Sequence, residues 1–222
     1  MLNARRFCLI VFLSLGTFSA AVQAGYTYGF THIPEDGDGP TEWAGATIGE
    51  NQMSVTVTDP GGGQALFTFD NSGSYPASLT RIYFDDRVGA FASLAGITDS
   101  GAGVDFASPT SPSDLPAGNN LTPKFDADFN IGSTSPTQPN GANPSEWVAI
   151  RMNLASAWTF TDLINALNSF ENIRIGIKVQ NLPDDNSETF VTRYLIPAPG
   201  AFLLGSLGLG MIGVLKRRRL IR

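Results

Sequence analysis

The 222-residue chain predicts an all-β fold: an antiparallel β-sandwich, jelly-roll-like, with one short helix. It is framed by an N-terminal signal peptide and a C-terminal transmembrane helix. Three observations carry this reading. Apolar and polar residues alternate at period two in several stretches, as strands buried on one face require. The connections between those stretches are rich in Gly, Pro, Ser and Asn, with 24 glycines and 14 prolines in the chain. No unit of roughly 20–50 residues recurs, which sets aside solenoids and propellers. The predicted division is 1–24 signal peptide, 25–195 β-sandwich ectodomain and 196–222 a hydrophobic, basic-ended tail.

The elements follow in chain order. Tyr26, Tyr28 and Phe30 alternate directly after the leader. Met53, Val55 and Val57 oppose Ser54, Thr56 and Thr58; Asp59-Pro60-Gly61-Gly62-Gly63 then turns the chain, and Leu66 to Phe69 returns it as a hairpin. Ser78 to Phe84 is another β-rich run. Val148, Ile150, Met152 and Leu154 alternate against Ala149, Arg151 and Asn153. Thr159 and Asp162 have capping-box spacing ahead of the stripe Leu163, Leu167 and Phe170, which predicts the one helix, placed over a sheet edge or end. The cleanest strand sets Ile173, Ile175, Ile177 and Val179 against Arg174, Gly176, Lys178 and Gln180, and Thr189 to Leu195 forms the last one. Between Ala107 and Ser145 lie seven of the prolines and one apolar island around Phe125 to Ile131, so a long loop region is expected there.

Charge is sharply partitioned. Seven basic residues sit in the two ends, and the middle, 25–199, holds seven basic against twenty acidic residues, a net −13. That middle offers no basic surface to neutralise phosphates, so nucleic acid is excluded as a partner. The single cysteine, Cys8, lies in the leader, which removes disulfides and thiol chemistry from the rest of the chain.

The ends read as an address. Arg5-Arg6 precedes an apolar run from Phe7 to Phe18, and Val22-Gln23-Ala24 supplies the small residues a signal peptidase needs to cut between Ala24 and Gly25. At the other end, Gly200 to Leu215 carries no charge and is followed by Lys216, Arg217, Arg218 and Arg219. As a helix those sixteen residues would be about 24 Å long against a hydrocarbon core of about 30 Å. The basic cluster fixes topology, staying cytoplasmic and leaving the body outside. Gly208 to Gly213 satisfies a GxGxxG pattern but lies inside this apolar segment, without the strand–turn–helix context a dinucleotide site needs.

Pro197-Ala198-Pro199, the Gly- and Leu-rich span and the terminal arginine run together resemble the PEP-CTERM sorting signal of exosortase-dependent surface proteins, with Ala198 where that family carries Glu. The resemblance covers about the last 25 residues of the chain. It implies an exosortase-type membrane enzyme as processing partner, membrane attachment through the C-terminal helix followed by display on or release from the cell surface, and association with extracellular polysaccharide or biofilm.

Candidate chemistry in the body is sparse. Asp126-x-Asp128-x-Asn130 offers alternating oxygen ligands for calcium, yet Ile131 and Thr137 stand where an EF-hand needs Gly and Glu. A calcium site of another kind competes with a plain solvated loop, and calcium is the one cofactor the residues suggest. Glu35-Asp36-Gly37-Asp38-Gly39 is a second acidic run, read as a turn. Asp85-Asp86 and Asp184-Asp185 are adjacent pairs whose side chains diverge in a strand, so neither makes a glycosidase pair by itself. The lone His32 lacks a GxSxG partner. Trp43, Trp147 and Trp158 could stack on sugar rings if exposed; core packing is the competing role. The expectation is a non-enzymatic exported surface or matrix protein with no catalytic residues. A carbohydrate-binding or calcium-dependent adhesion module is the first alternative, and a secreted glycoside hydrolase the second.

Overall fold

A computed structural model describes residues 25–35 and 37–196. The Ala24 side of the leader junction, Pro197, Ala198 and Pro199, the apolar span and Lys216 to Arg219 lie outside the described residues. Among those described, no helix is long and apolar enough to cross a membrane.

The chain is mostly β. Ten strands run β1 (Tyr26–His32), β2 (Met53–Thr58), β3 (Gln64–Asn71), β4 (Ser78–Asp86), β5 (Phe91–Asp99), β6 (Phe106–Ala107), β7 (Phe129–Ser133), β8 (Trp147–Leu154), β9 (Ile173–Gln180) and β10 (Glu188–Ile196). Two helices interrupt them: α1 (Pro40–Gln52) and α2 (Phe160–Ser169). Every pairing is antiparallel, and the strands make one sheet in the order β5-β8-β3-β2-β1-β10-β9-β4-β7-β6. This corrects the two separate sheets expected of a sandwich. The single sheet curls until its halves face each other. Phe67 of β3 meets Phe84 of β4 edge-on at 5.1 Å, and Phe91 of β5 lies 6.3 Å from Phe129 of β7, near the opposite end of the strand order. The result is a nearly closed barrel. Its interior holds Tyr28, Phe30, Val55, Phe69, Ile150 and Ile177, all fully buried. The edge strand β5 carries two register shifts, the kind of irregularity that keeps an edge from templating another chain.

The second helix is the other correction. The predicted α2 forms as its caps dictate: Thr159 Oγ1 accepts from the Asp162 amide at 3.2 Å, and Asp162 Oδ2 accepts from the Thr159 amide at 3.0 Å. The Thr159 hydroxyl, which also donates to Asp162 Oδ2, and then the Thr159 amide hold the Asp162 carboxyl below its usual range. Its stripe Leu163, Ile164 and Leu167 enters the main core beside β9, and Asn168 accepts from the Tyr28 hydroxyl of β1 at 3.1 Å. It therefore packs against β9 and β1, in the middle of the strand order. The unpredicted α1 starts with Pro40 in its first turn, and Glu42 Oε2 accepts from the Gly39 amide at 2.9 Å. It buries Gly45, Ala46, Gly49 and Gln52. A Cβ at Gly49 would sit 2.1 Å from the Phe190 ring of β10, so the helix lies on that strand only because position 49 has no side chain.

The long segment before β7 is pinned down. Leu115 and Phe125 join Ile33, Tyr83 and Val191 in a second, smaller core on the outside of the sheet. Leu115 sits where a Cβ on Gly176 of β9 would be, at 2.6 Å.

Candidate functional site

The lone histidine and the most exposed tryptophan share one site, although ten residues of turn and helix lie between them in sequence. His32 closes β1, and Trp43 lies in the first turn of α1. Where α1 crosses the β1/β10 pair, a cavity of about 320 Å³ opens. Its walls are Thr31, His32 and Pro34 from the first strand and its exit, and Trp43, Ala46, Thr47 and Glu50 from the helix; Arg193 comes from β10. Trp43 is 52% exposed, the largest exposed apolar side chain described, and its ring meets His32 edge-on at 5.9 Å.

Polar groups in this site are held from behind. Glu50 Oε1 accepts from the His32 amide at 2.9 Å, which orients the carboxylate, while Oε2 bonds to none of the described residues. His32 Nε2 lies 2.8 Å from Glu188 Oε2, with Asp38 Oδ2 at 3.9 Å. A carboxylate only accepts, so Nε2 carries the proton and donates. Nδ1 is buried without a partner among the described residues. Burial pushes the Glu188 carboxyl above its usual range, with the His32 hydrogen bond pulling in the other direction. Arg193 owes its position to a β-bulge. Phe30 pairs with Thr192 and Gly29 with Tyr194, so Arg193 is the extra residue, and bulges re-aim side chains in this way.

The residues singled out from sequence are dispersed. Asp128 Oδ2 accepts from the Asp86 amide at 2.7 Å. Asn130 accepts from the Thr110 amide at 2.6 Å and donates to the Ser113 carbonyl at 3.3 Å, while Asp126 is exposed. Two members of the Asp126–Asn130 set thus tie down the loop. Partial burial, followed by the like charges of Asp86, Asp85 and Asp126, pushes the Asp128 carboxyl up. Among the described residues no group of three or more His, Cys, Asp or Glu could hold a metal ion. Asp86 accepts from the amides of Ala90 at 2.9 Å and Phe91 at 2.7 Å, which builds the β4–β5 turn. Asp85 is buried and paired with Arg174, its cross-strand neighbour on β9. Asp185 sits in a short 3-10 turn far in sequence from both. Trp158 packs against the main core. Trp147 is half-buried in a shallow depression on the outer face of β3, β5 and β8, beside Thr68, Asp70 and Thr98. Gly25, which the sequence reading puts at the leader junction, lies against Thr56, whose methyl is 2.8 Å from where its Cβ would be.

Sequence reasoning missed Glu50, Glu188 and Arg193. Glu188 is 156 positions from the histidine it bonds, and no local pattern links them. Arg193 stands in an ordinary strand pattern whose bulge has no signature in sequence. No family model, no curated protein and no solved structure matches this chain.

Proposed function

We propose that the chain is an exported bacterial surface or matrix protein with a non-enzymatic, structural or adhesive role. A signal peptidase removes 1–24 between Ala24 and Gly25. The tail holds the domain at the membrane with Lys216 to Arg219 inside, and an exosortase-type enzyme acts at Pro197-Ala198-Pro199. The facing halves of the curled sheet serve as the two layers of a sandwich, a rigid body for display. The observation that carries this reading is the pairing of β1 with β10, in which Thr27 lies opposite Ile196. The leader junction and the start of the tail therefore leave the domain from neighbouring strand ends, as suits a body anchored at one pole. An extracellular polysaccharide is the partner this role implies. The non-enzymatic part draws support from the carboxylates: Asp85, Asp86 and Asp128 all serve as acceptors in internal bonds.

The test is the C-terminus of the protein recovered from outside native cells, read by peptide mass spectrometry. An end between Pro197 and Gly200 is expected. Recovery of peptides through Leu215 would replace tail processing with a permanent anchor. Neutral residues at 216–219 are expected to send the protein into the medium, and unchanged fractionation would sink the topology.

A further inference from the structure

We infer that the cavity between α1 and the β1/β10 pair is a binding site for a neutral saccharide unit, with Trp43 as its stacking platform. A pyranose ring presents one face of C–H bonds and a rim of hydroxyls that both donate and accept. The cavity matches both. Trp43 offers a large rigid apolar surface, half in water, of the kind that otherwise costs a monomer exposed apolar area. Around it stand a carboxylate oriented by the His32 amide and a guanidinium placed by the bulge of β10. Glu50 accepts and Arg193 donates, so adjacent hydroxyls can be held as donor and acceptor together. The hydroxyls of Thr31 and Thr47 line the same space, and His32 Nδ1 is a buried ring nitrogen with no partner among the described residues. The volume lies at the lower end of small-molecule sites, room for one or two rings of a longer chain.

Other ligand classes fit less well. A quaternary amine would suit Trp43 but would meet Arg193. A phosphate or sulfate would suit Arg193 but would face Glu50, with Asp38 and Glu188 behind His32. A purely apolar ligand would leave Glu50 and Arg193 desolvated and unpaired. A neutral polyol is the class that uses every group. This deepens the proposed extracellular role, on which the choice of a polysaccharide-derived ligand rests.

The experiment uses the full chain, purified in a zwitterionic detergent without a sugar headgroup. Binding of cellotriose, maltotriose and chitotriose is followed by calorimetry, with trigalacturonate and tetramethylammonium as charged controls. Saturable binding of at least one neutral trisaccharide is expected, weakened about tenfold or more by Trp43→Ala. Glu50→Gln, which keeps an acceptor for the His32 amide, should weaken it several-fold. Trp147→Ala should leave it unchanged. Trp43 is exposed, so Trp43→Ala should melt with the parent, which separates lost binding from lost folding. The inference is overturned if no neutral trisaccharide binds by about 10 mM, if Trp43→Ala binds like the parent, if Trp147→Ala abolishes binding, or if only a charged control binds. Because binding is read on purified protein and sorting by fractionation, either idea can fail alone.

Discussion

The outer surface of the sheet is treated in two opposite ways. Over β4 and β9 it is roofed: the 108–128 segment lays Leu115 and Phe125 on Tyr83, Ile33 and Val191. Arg174 clamps this roof. Its guanidinium pairs with Asp85, donates to the carbonyls of Pro123 at 2.7 Å and Lys124 at 2.7 Å, and stacks over the Phe125 ring at 5.2 Å. Over β3, β5 and β8 the same kind of surface is bare, with Thr68, Asp70 and Trp147 in an open depression. A strand's outward row is therefore polar and solvated only where nothing has been laid on it. Where a loop covers it, the row must supply small residues such as Gly176, or charges that find partners.

The largest effect expected from this contrast is at the clamp. Asp85→Ala leaves the Arg174 guanidinium buried without its counter-ion, a change that costs about 3–5 kcal/mol in buried pairs. Urea unfolding should show that loss, and limited proteolysis should cut within 108–128 at a protease level the parent resists. A loss under about 1 kcal/mol, the range of exposed pairs, would mean that the roof is not clamped by this pair.

Next comes the roof's own packing. Leu115→Ala removes the side chain seated over Gly176, and with 5% exposure it should cost about 2–3 kcal/mol. A neutral result would show that the small outer core adds nothing to stability. On the bare side, Trp147→Ala should cost only about 1 kcal/mol, because the indole lies in an open surface depression with no loop laid over it. If thermal unfolding ranked Trp147 above Leu115, the two faces would have to be regarded as equally built in.

The same contrast explains what the sequence could disclose. β2 is buried at every second position, Met53, Val55 and Val57, and its alternation is plain in the sequence. β4 is buried at eight of nine positions and β9 at six of eight, because the roof hides residues such as Tyr83 and Arg174 that alternation assigns to solvent. β5 escaped notice because it is an edge strand in which only Phe91 is buried. α1 escaped because its buried stripe is glycine, alanine and glutamine, with no large apolar residue to mark a period. Its fit depends on the absence of a side chain at Gly49, which only the ring of Phe190 makes visible. The candidate site suffers most from this. Trp43 was a named candidate, but its platform stands on the unseen helix, and its polar partners come from a bulge and from residues far along the chain.

The finest test of the bare face is electrostatic. Partial burial pushes the Asp70 carboxyl above the ordinary 3.8. A carboxyl whose pKa is higher in the folded state than in the unfolded chain binds its proton more tightly when folded. Its contribution to stability is therefore fully present below 3.8 and is lost as pH rises through the folded value. Asp70→Asn never ionises and escapes that loss. The variant should melt slightly above the parent at neutral pH, and the gap should close as pH falls below 3.8. The opposite order at neutral pH would mean that the Asp70 carboxylate is stabilised by a cationic or hydrogen-bonding partner laid across β3 and β8. That face would then be covered too, and the contrast with the clamped half of the sheet would disappear.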